Sequence, residues 1–243
     1  MRLPFLDRDP LAREFKARGP WVTRFRIGDR NYGGKVDLVD DGRIDDFAAA
    51  FPGCRTVLEL GSLEGAHSFS LARRVERVVA VEGRDENIAR ARFVQGLLGI
   101  DNVEFVEADL ETTPLESFGP FDAVFCVGLL YHLPQPWLLL DQLAAVAPNV
   151  FLQTHYAERA ETTADGLPGR NYREFGRSDP LSGLSPTSFW LTIPALTERL
   201  EQGGYAVELL ADDPDARNGP IVTLAARASG IPGRGIQPAA TDG

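Results

Sequence analysis

The feature that most constrains the fold is a regular alternation of short apolar runs and amphipathic stretches between residues 55 and 155. The apolar runs are RTVLEL, RVVAVE, NVEFVEAD, FDAVFCVG and NVFLQTH, and the amphipathic stretches are EGAHSFSLARRV, RDENIARARFVQGLLG and PQPWLLLDQLAAVA. Strands that are apolar along most of their length are buried on both faces, and the intervening helices provide the cover. The pattern predicts an α/β fold with a doubly wound, largely parallel sheet.

The regions around this core predict the domain organisation. Residues 1–50 read as an N-terminal helix followed by a strand pair or irregular arm, which could form a lid. Residues 51–227 form the main domain, and the polar insert at 157–190 is too long for an ordinary connection, so we expect a functional loop, a lid or disorder there. Residues 228–243 have the composition of a disordered tail.

The charge distribution bears on the partners of the protein. The 243 residues carry 25 Lys and Arg against 35 Asp and Glu, a net charge of −10, although the first 35 residues are basic. Nucleic-acid binding depends on phosphate neutralisation, so the acidic body makes a nucleic-acid partner unfavourable. No apolar run has the length of a signal peptide core or a membrane span, and we expect a cytoplasmic protein without a membrane partner.

A glycine turn follows the first strand of the core, in VLELGSLEGAH at residues 57–67. A nicotinamide-binding fingerprint would have a third glycine between Gly61 and Gly65, where this chain has Leu63. Glu82 ends the next strand at the spacing at which an acid reaches ribose hydroxyls, and Asp109 follows the third strand at the same sheet edge. This arrangement suits a nucleoside without a phosphate chain, and S-adenosylmethionine fits that description.

These segments, with VVAVEGRD, VEFVEADLE and FDAVFCVGLLYHL, resemble the class I S-adenosylmethionine-dependent methyltransferases over about residues 55–155. The later stretches TIPALTERLEQGG, YAVELLA and PIVTLAARA match the last helix and strands of that fold. The resemblance implies a Rossmann-like, seven-stranded sheet whose last strand is antiparallel. It also implies a methyltransferase with S-adenosylmethionine as cofactor. Leu63 stands where many members have glycine.

The resemblance implies a set of cofactor-binding residues. Glu59, Gly61 and Gly65 would line the methionine moiety, Glu82 would bind the ribose, and Asp109 with Leu110 would flank the adenine. Cys126, at the end of the fourth core strand, is assigned to the same site, although a small core residue is an alternative for it. The acids also have structural alternatives, because Glu59 could be a capped strand-end acid and Asp109 a helix cap.

Histidines are the candidate general bases. Methyl transfer is an in-line displacement in which alignment matters most, and a base assists when the acceptor is a hydroxyl. The chain has three histidines, of which His132 follows the fourth core strand and His155 ends the fifth. His67 lies behind the glycine turn, where packing or capping is expected, and a structural hydrogen bond is the alternative role for His132. No histidine pair has metal-ligand spacing; Mg²⁺ held by acids stays open, with no motif to identify its ligands.

The acceptor site should come from the variable parts of the chain. Aromatic faces and planar donors suit a polar, hydroxyl-bearing acceptor, and the candidates near the catalytic edge are Tyr131, Tyr156, Arg170, Tyr172 and Trp190. We therefore predict O-methylation of a small molecule such as a sugar or a secondary metabolite. GLLYHLPQPW also resembles a subgroup that contains the wobble-uridine tRNA carboxymethyltransferase, so a tRNA-modifying transferase is an alternative. A non-catalytic cofactor-binding partner subunit is another.

Overall fold

The structure is a computed structural model that describes residues 9–39 and 41–230. Helix α1 confirms the predicted N-terminal helix, because the Asp9 side chain accepts hydrogen bonds from the first turn and Pro10 follows it. A second helix in this region was not predicted, since only a strand pair or irregular arm was expected before residue 50. The N-terminal elements are α1 (Pro10–Arg18), β1 (Arg24–Ile27), β2 (Arg30–Gly33) and α2 (Gly42–Ala50).

A seven-stranded sheet forms the centre of the molecule. Its strands are β3 (Thr56–Leu60), β4 (Arg77–Glu82), β5 (Val103–Glu107), β6 (Ala123–Val127), β7 (Asn149–His155), β11 (Tyr205–Asp213) and β12 (Ile221–Ala228). The strand order is β11-β12-β7-β6-β3-β4-β5. Strands β3 to β7 pair in parallel, whereas β12 is antiparallel to both of its neighbours. The predicted seven-stranded fold with an antiparallel last strand is confirmed.

Helices cover both faces of this sheet. They are α3 (Ala66–Ala72), α4 (Asp85–Leu98), α5 (Pro136–Leu140), α6 (Leu143–Val146) and α7 (Ile193–Gln202). Successive strand residues point to opposite faces, so Val57 packs in one apolar cluster with Phe69 while Leu58 packs in the other with Leu140. The sequence predicts a single helix at residues 134–147, but the structure has two short helices there, α5 and α6. Asp141 follows α5, and its carboxylate accepts two hydrogen bonds at 2.6 Å from Arg199 of α7.

The insert has regular structure that the sequence did not predict. Strands β8 (Thr162–Ala164), β9 (Leu167–Arg173) and β10 (Thr187–Leu191) form an antiparallel sheet in the order β10-β9-β8. Position 169 in β9 requires glycine, because a Cβ atom there would lie 2.3 Å from the carbonyl oxygen of Trp190. Short strands rich in polar residues and Gly are held by this pairing and lack a strong local pattern, so a loop, lid or disorder was expected instead.

The predicted tail is described only to residue 230, and residues 231–243 lie outside the described part of the chain. The division into an N-terminal region, a main domain and a tail stays a prediction. Within residues 9–39 and 41–230, no helix combines the length and apolar character needed to cross a membrane.

Gly65 gives a first testable prediction, for the stability of the fold. Its φ is +84°, and a Cβ atom would lie 2.8 Å from Cζ of Phe105 and 3.0 Å from Cζ of Phe69. We expect Gly65→Ala to lower the free energy of unfolding by about 3 kcal/mol, because a backbone penalty adds to overpacking. Gly99→Ala is the matched control, since Gly99 has φ +65° and open space around it. Equal losses for the two variants in urea unfolding would contradict the packing argument.

Candidate active site

A cavity of about 680 Å³ lies at the carboxyl ends of the parallel strands. Its floor is formed around Gly61 after β3, Glu82 of β4, Asp109 after β5 and Gly128 after β6. Strands β4 and β5 follow β3 on one side of it, whereas β6 and β7 lie on its other side, so the order of the strands switches between β3 and β6. Ligands bind at such a switch point in open α/β sheets. The insert and the N-terminal arm provide the remaining walls, with His155 of β7 at one side.

The glycine turn is held in a conformation that brings backbone to the cavity. Gly61 has φ +80°, and a Cβ atom at that position would lie 3.0 Å from Cβ of Leu129, which follows the neighbouring strand β6. Leu63 also has a positive φ, +50°, in the region that favours glycine. Leu63, at the position where the resembled family often has glycine, therefore adopts a left-handed backbone conformation, which costs about 1–2 kcal/mol of conformational energy.

The Glu82 carboxylate organises this turn. Oε2 accepts a hydrogen bond from the Leu63 N–H and Oε1 accepts one from the Arg84 N–H, each at 2.9 Å. Burial raises the pKa of Glu82, and these two backbone donors oppose the rise. A carboxylate has about four acceptor sites, so lone pairs remain for the hydroxyls of a ligand.

The adenine-side residues predicted from the sequence lie on the same wall. Asp109 lines the cavity, and its Oδ1 accepts a hydrogen bond at 2.9 Å from the Glu111 N–H. Leu110 lies beside it and is largely buried. The structure thus brings Gly61, Glu82, Asp109 and Leu110 together. Their roles in cofactor binding stay predictions.

Three predicted cofactor residues, Glu59, Gly65 and Cys126, do not line the cavity, and Gly65 instead packs against Phe105 and Phe69. Cys126 is buried in the core of the sheet, where burial raises its thiol pKa to about 12. Glu59 lies in β3 at 1% exposure, and its carboxylate accepts a hydrogen bond from the Ser68 hydroxyl. Burial raises the pKa of Glu59 to about 7, with the Ser68 hydrogen bond opposing the rise and the Glu82 charge adding to it.

Glu59 gives a prediction about pH. Its folded pKa of about 7 is above the ordinary value of 4.5, so the folded state binds more protons between these two values. Stability that is present below pH 4.5 is lost as the pH rises through 7, by an amount on the order of 3 kcal/mol. We expect Glu59→Gln, which keeps an acceptor for Ser68, to remove this loss. Urea unfolding of the ligand-free protein at pH 5 and pH 8 tests it, and parallel profiles for wild type and variant would contradict it.

His132 lies in a short 3-10 helix after β6, and its ring is held by Glu174 of the insert. Nδ1 lies 3.1 Å from Oε1 and 3.2 Å from Oε2 of the carboxylate. Hydrogen bonds from His132 and its neighbours hold the pKa of Glu174 at about 2, although burial opposes this. An ionised carboxylate only accepts, so Nδ1 of His132 carries a hydrogen, and in the neutral form of the ring the lone pair is therefore on Nε2.

His155 is fixed by backbone groups and by aromatic rings. Its Nδ1 lies 3.1 Å from the carbonyl oxygens of both Gly219 and Pro220, and carbonyls only accept, so Nδ1 is the protonated nitrogen. Burial lowers the pKa of His155, and the two backbone hydrogen bonds oppose this. The neutral ring, with its Nε2 lone pair, is therefore available as a base at neutral pH.

The acceptor candidates form an aromatic wall between the two histidines. Tyr131 contacts the rings of His132 and His155 at centroid distances of 4.1 and 4.5 Å. Trp190 stacks on His155 at 5.0 Å and on Tyr172 at 4.6 Å. Of the five acceptor candidates, Tyr131, Tyr172 and Trp190 line the cavity, whereas Arg170 and Tyr156 do not. The Arg170 guanidinium lies 4.2 Å from the centre of the Trp190 ring, and the Tyr156 hydroxyl donates a hydrogen bond to Asp212.

His67 has the structural contacts expected of it. Its Nε2 lies 2.9 Å from Oδ2 of Asp41, a carboxylate that also pairs with Arg43. Burial raises the pKa of Asp41, but the hydrogen bonds from His67 and Arg43 outweigh this and lower that pKa below its ordinary value. Arg43 in turn donates to the Gln153 side chain at 2.6 Å and lines the cavity, which places a cation on the wall.

The N-terminal arm is fastened to the glycine turn by a buried acid. The Glu64 side chain is fully buried, and its carboxylate accepts hydrogen bonds from the N–H groups of Val22, at 3.1 and 3.2 Å, and Thr23, at 2.7 Å. Val22 also lines the cavity. Glu174 and Glu64 are among the site residues that the sequence analysis missed, because their partners are distant in the chain, and Arg43 on the wall was missed as well.

No group of three or more His, Cys, Asp or Glu side chains in residues 9–39 and 41–230 is arranged to hold a metal ion. A requirement for Mg²⁺ therefore has no structural support in the described part of the chain.

Residues 58–149 match the family model described as a methyltransferase domain. The solved N-terminal domain of EvdMO1 with SAH (S-adenosylhomocysteine) bound is 36% identical, with a TM-score of 0.82, and the match covers 93% of this chain and 100% of that domain. The same domain was also solved in the presence of SAH and D-fucose. In the solved structure of EvdMO1, the match covers 93% of this chain and 49% of the EvdMO1 chain.

Two curated relatives match over shorter regions. Protein-L-isoaspartate O-methyltransferase 2 of Rhodopseudomonas palustris is 39% identical over 42% of this chain and 49% of its own length. The tRNA U34 carboxymethyltransferase of Cronobacter sakazakii is 28% identical over 65% of this chain and 47% of its own length. The chain thus spans about half the length of the curated relatives it matches.

Proposed function

The chain belongs to the class I S-adenosylmethionine-dependent methyltransferases, and we propose that it methylates a hydroxyl group of a small polar acceptor such as a sugar. The observation that carries this proposal is the position of His132 and His155. Both line the cavity that also contains Gly61, Glu82 and Asp109, and both rings hold a hydrogen on Nδ1, so the neutral form of each has its lone pair on Nε2. A base beside a cofactor pocket suits transfer to a hydroxyl.

The residues present fit S-adenosylmethionine. The absence of a side chain at Gly61 keeps open the space that a Cβ atom would fill against Leu129. Lone pairs of Glu82 are free for the ribose diol, and Asp109 with Leu110 offers a polar and an apolar contact for adenine. Arg43 lies on the wall as a counter-charge for the methionine carboxylate. When bound, the cofactor supplies an electrophilic methyl group on a sulfonium.

The chain's own residues would align the acceptor and remove its proton. The hydroxyl oxygen would form the new bond to the methyl carbon as the carbon–sulfur bond of the sulfonium breaks and its electron pair returns to sulfur, and the hydroxyl proton would pass to Nε2 of a histidine, for which we favour His132. Burial raises the pKa of Tyr131 to about 12, so its hydroxyl stays a hydrogen-bond donor beside the acceptor. Tyr172, which is 37% exposed and stacks on the buried Trp190, offers a flat face that would pack against a C–H face of a sugar ring.

Two observations favour a small acceptor over a tRNA. EvdMO1, the neighbour that matches over the full domain, was solved with D-fucose present. The net charge of −10 opposes binding to a polynucleotide. Because the chain is also similar to a tRNA carboxymethyltransferase, bulk tRNA is included in the assay as the competing acceptor.

The experiment is methyl transfer from labelled S-adenosylmethionine to sugars, phenols, small acids and bulk tRNA, with and without Mg²⁺. We expect label on a hydroxyl compound, with the methyl ether identified by mass spectrometry. Label on tRNA alone would replace the acceptor proposal. Binding of S-adenosylhomocysteine in calorimetry without transfer to any acceptor, including a cell extract, would favour the non-catalytic partner subunit.

A further inference from the structure

The Glu174 carboxylate is surrounded by four donors from three parts of the chain. It accepts hydrogen bonds from the hydroxyls of Ser182 at 2.6 Å and Ser188 at 2.7 Å and from the Gly183 N–H at 2.8 Å. The fourth donor is Nδ1 of His132. The side chain is 2% exposed, so its acceptor sites are occupied by protein groups and its orientation depends on all of them.

Two of these donors belong to residues 176–185, which we call the lid segment. The lid segment also contacts residues next to Glu82 and Asp109, on the wall predicted to hold the nucleoside. Arg84 donates to the carbonyl oxygens of Asp179 at 3.1 Å and Ser182 at 2.8 Å, and the Ser185 hydroxyl donates to Glu111 at 2.7 Å. Gly83 packs so closely against the lid that a Cβ atom there would lie 2.7 Å from Cδ1 of Leu184.

The lid segment also contacts His132 directly. A Cβ atom at Gly183 would lie 2.6 Å from the carbonyl oxygen of His132, so the lid backbone and the histidine backbone are in close contact. The Ser182 hydroxyl accepts from the N–H groups of Phe175 and Gly176, which orients it toward Glu174. A single carboxylate is therefore shared by the histidine on one side and the lid on the other.

We propose that Glu174 is a positioning residue that links the cofactor pocket to His132. A lid packed over the nucleoside places Ser182 and the Gly183 N–H on the carboxylate. The carboxylate then holds the His132 ring with its hydrogen on Nδ1 and its lone pair on Nε2, ready to accept the hydroxyl proton. This rests on the proposed function in taking His132 as the base, and it makes cofactor binding the step that prepares the base before the acceptor enters.

The test compares Glu174→Gln, Glu174→Asp and Ser182→Ala with wild type. Glu161→Gln is the matched control, because Glu161 is exposed in the same insert. The chain has only three histidines, so ¹⁵N NMR of the imidazole rings can report the tautomer of His132 with and without S-adenosylhomocysteine. Calorimetry gives the affinity for that ligand, and steady-state assays give kcat and the acceptor KM.

The structure already has the lid on Glu174 and the hydrogen on Nδ1 of His132, so in wild type we expect S-adenosylhomocysteine to favour this arrangement and raise the population of the Nδ1–H tautomer. In Glu174→Gln and Ser182→Ala this response should be lost or reduced, and kcat should fall about 30-fold and 5-fold, respectively. Ligand affinity and acceptor KM should change less than threefold. Glu174→Asp should recover part of kcat, and Glu161→Gln should match wild type.

An equal tautomer response in wild type, Glu174→Gln and Ser182→Ala would overturn the proposal, as would a loss that appears only in acceptor KM. If Glu174→Gln does not fold, Ser182→Ala still decides, because it leaves the carboxylate in place. The NMR and calorimetry need no acceptor, so they test the link even if no methyl acceptor is found and the proposed function fails.

Discussion

His132→Ala is expected to lower kcat for methyl transfer about 100-fold to 1000-fold, because it removes the base that accepts the hydroxyl proton. The affinity for S-adenosylhomocysteine should change less than threefold, since the glycine turn and Glu82 are unaffected. The measurement is a rate with labelled cofactor at saturating acceptor, together with calorimetry.

His155→Ala is the comparison variant for this prediction. His155 stacks on Trp190, so its loss should mainly raise the acceptor KM, by about tenfold or less. If His155→Ala abolishes transfer and His132→Ala does not, the base is His155. That result is chemically sound, because His155 is also held with its hydrogen on Nδ1. Similar small losses in both variants would show that alignment alone drives the reaction.

Glu82→Ala is expected to weaken S-adenosylhomocysteine binding about 100-fold. The variant removes the acceptor for the Leu63 and Arg84 N–H groups, which loosens the glycine turn, and it removes the predicted ribose contact. Loss of charge-assisted hydrogen bonds costs about 1.5–3 kcal/mol, which is a factor of about 10 to 100 in affinity for each bond.

Glu107→Ala is the matched control for Glu82→Ala, because Glu107 is the parallel-strand partner of Glu82 and is exposed. The two variants change the net charge equally, so the difference between them isolates the position of the carboxylate. Calorimetry should show an affinity close to wild type for Glu107→Ala. Equal affinities for the two variants would show that the nucleoside does not contact Glu82.

The core of the fold could be predicted from the sequence because its signals are local. Strands β3 to β7 are apolar runs, and α1 begins at the aspartate and proline that mark a helix start. The glycine turn and the acids at the ends of β4 and β5 follow from the same pattern, since parallel strands place their carboxyl ends at one edge.

The parts that were missed depend on contacts between distant residues. Strand β9 contains Gly and Arg in a polar stretch and β8 has only three residues, so their pairing with each other and with β10 is what makes them strands. Glu174 looks like one more acid in a polar insert, because His132, which identifies its role, lies 42 residues away. Leucine itself gives no sign of a positive φ, so the only hint of the left-handed backbone at Leu63 was that many members of the resembled family have glycine there.

The hydrogen bonds between the arm and Glu64 also constrain how a nascent chain folds. The ribosome makes Val22 and Thr23 first, and their acceptor follows 42 and 41 residues later. Until the stretch containing Glu64 has emerged and formed its turn beside β3, these N–H groups have only water as a partner. The arm is therefore synthesised before the residue that anchors it, and the wall that it gives to the cavity cannot form until Glu64 is in place.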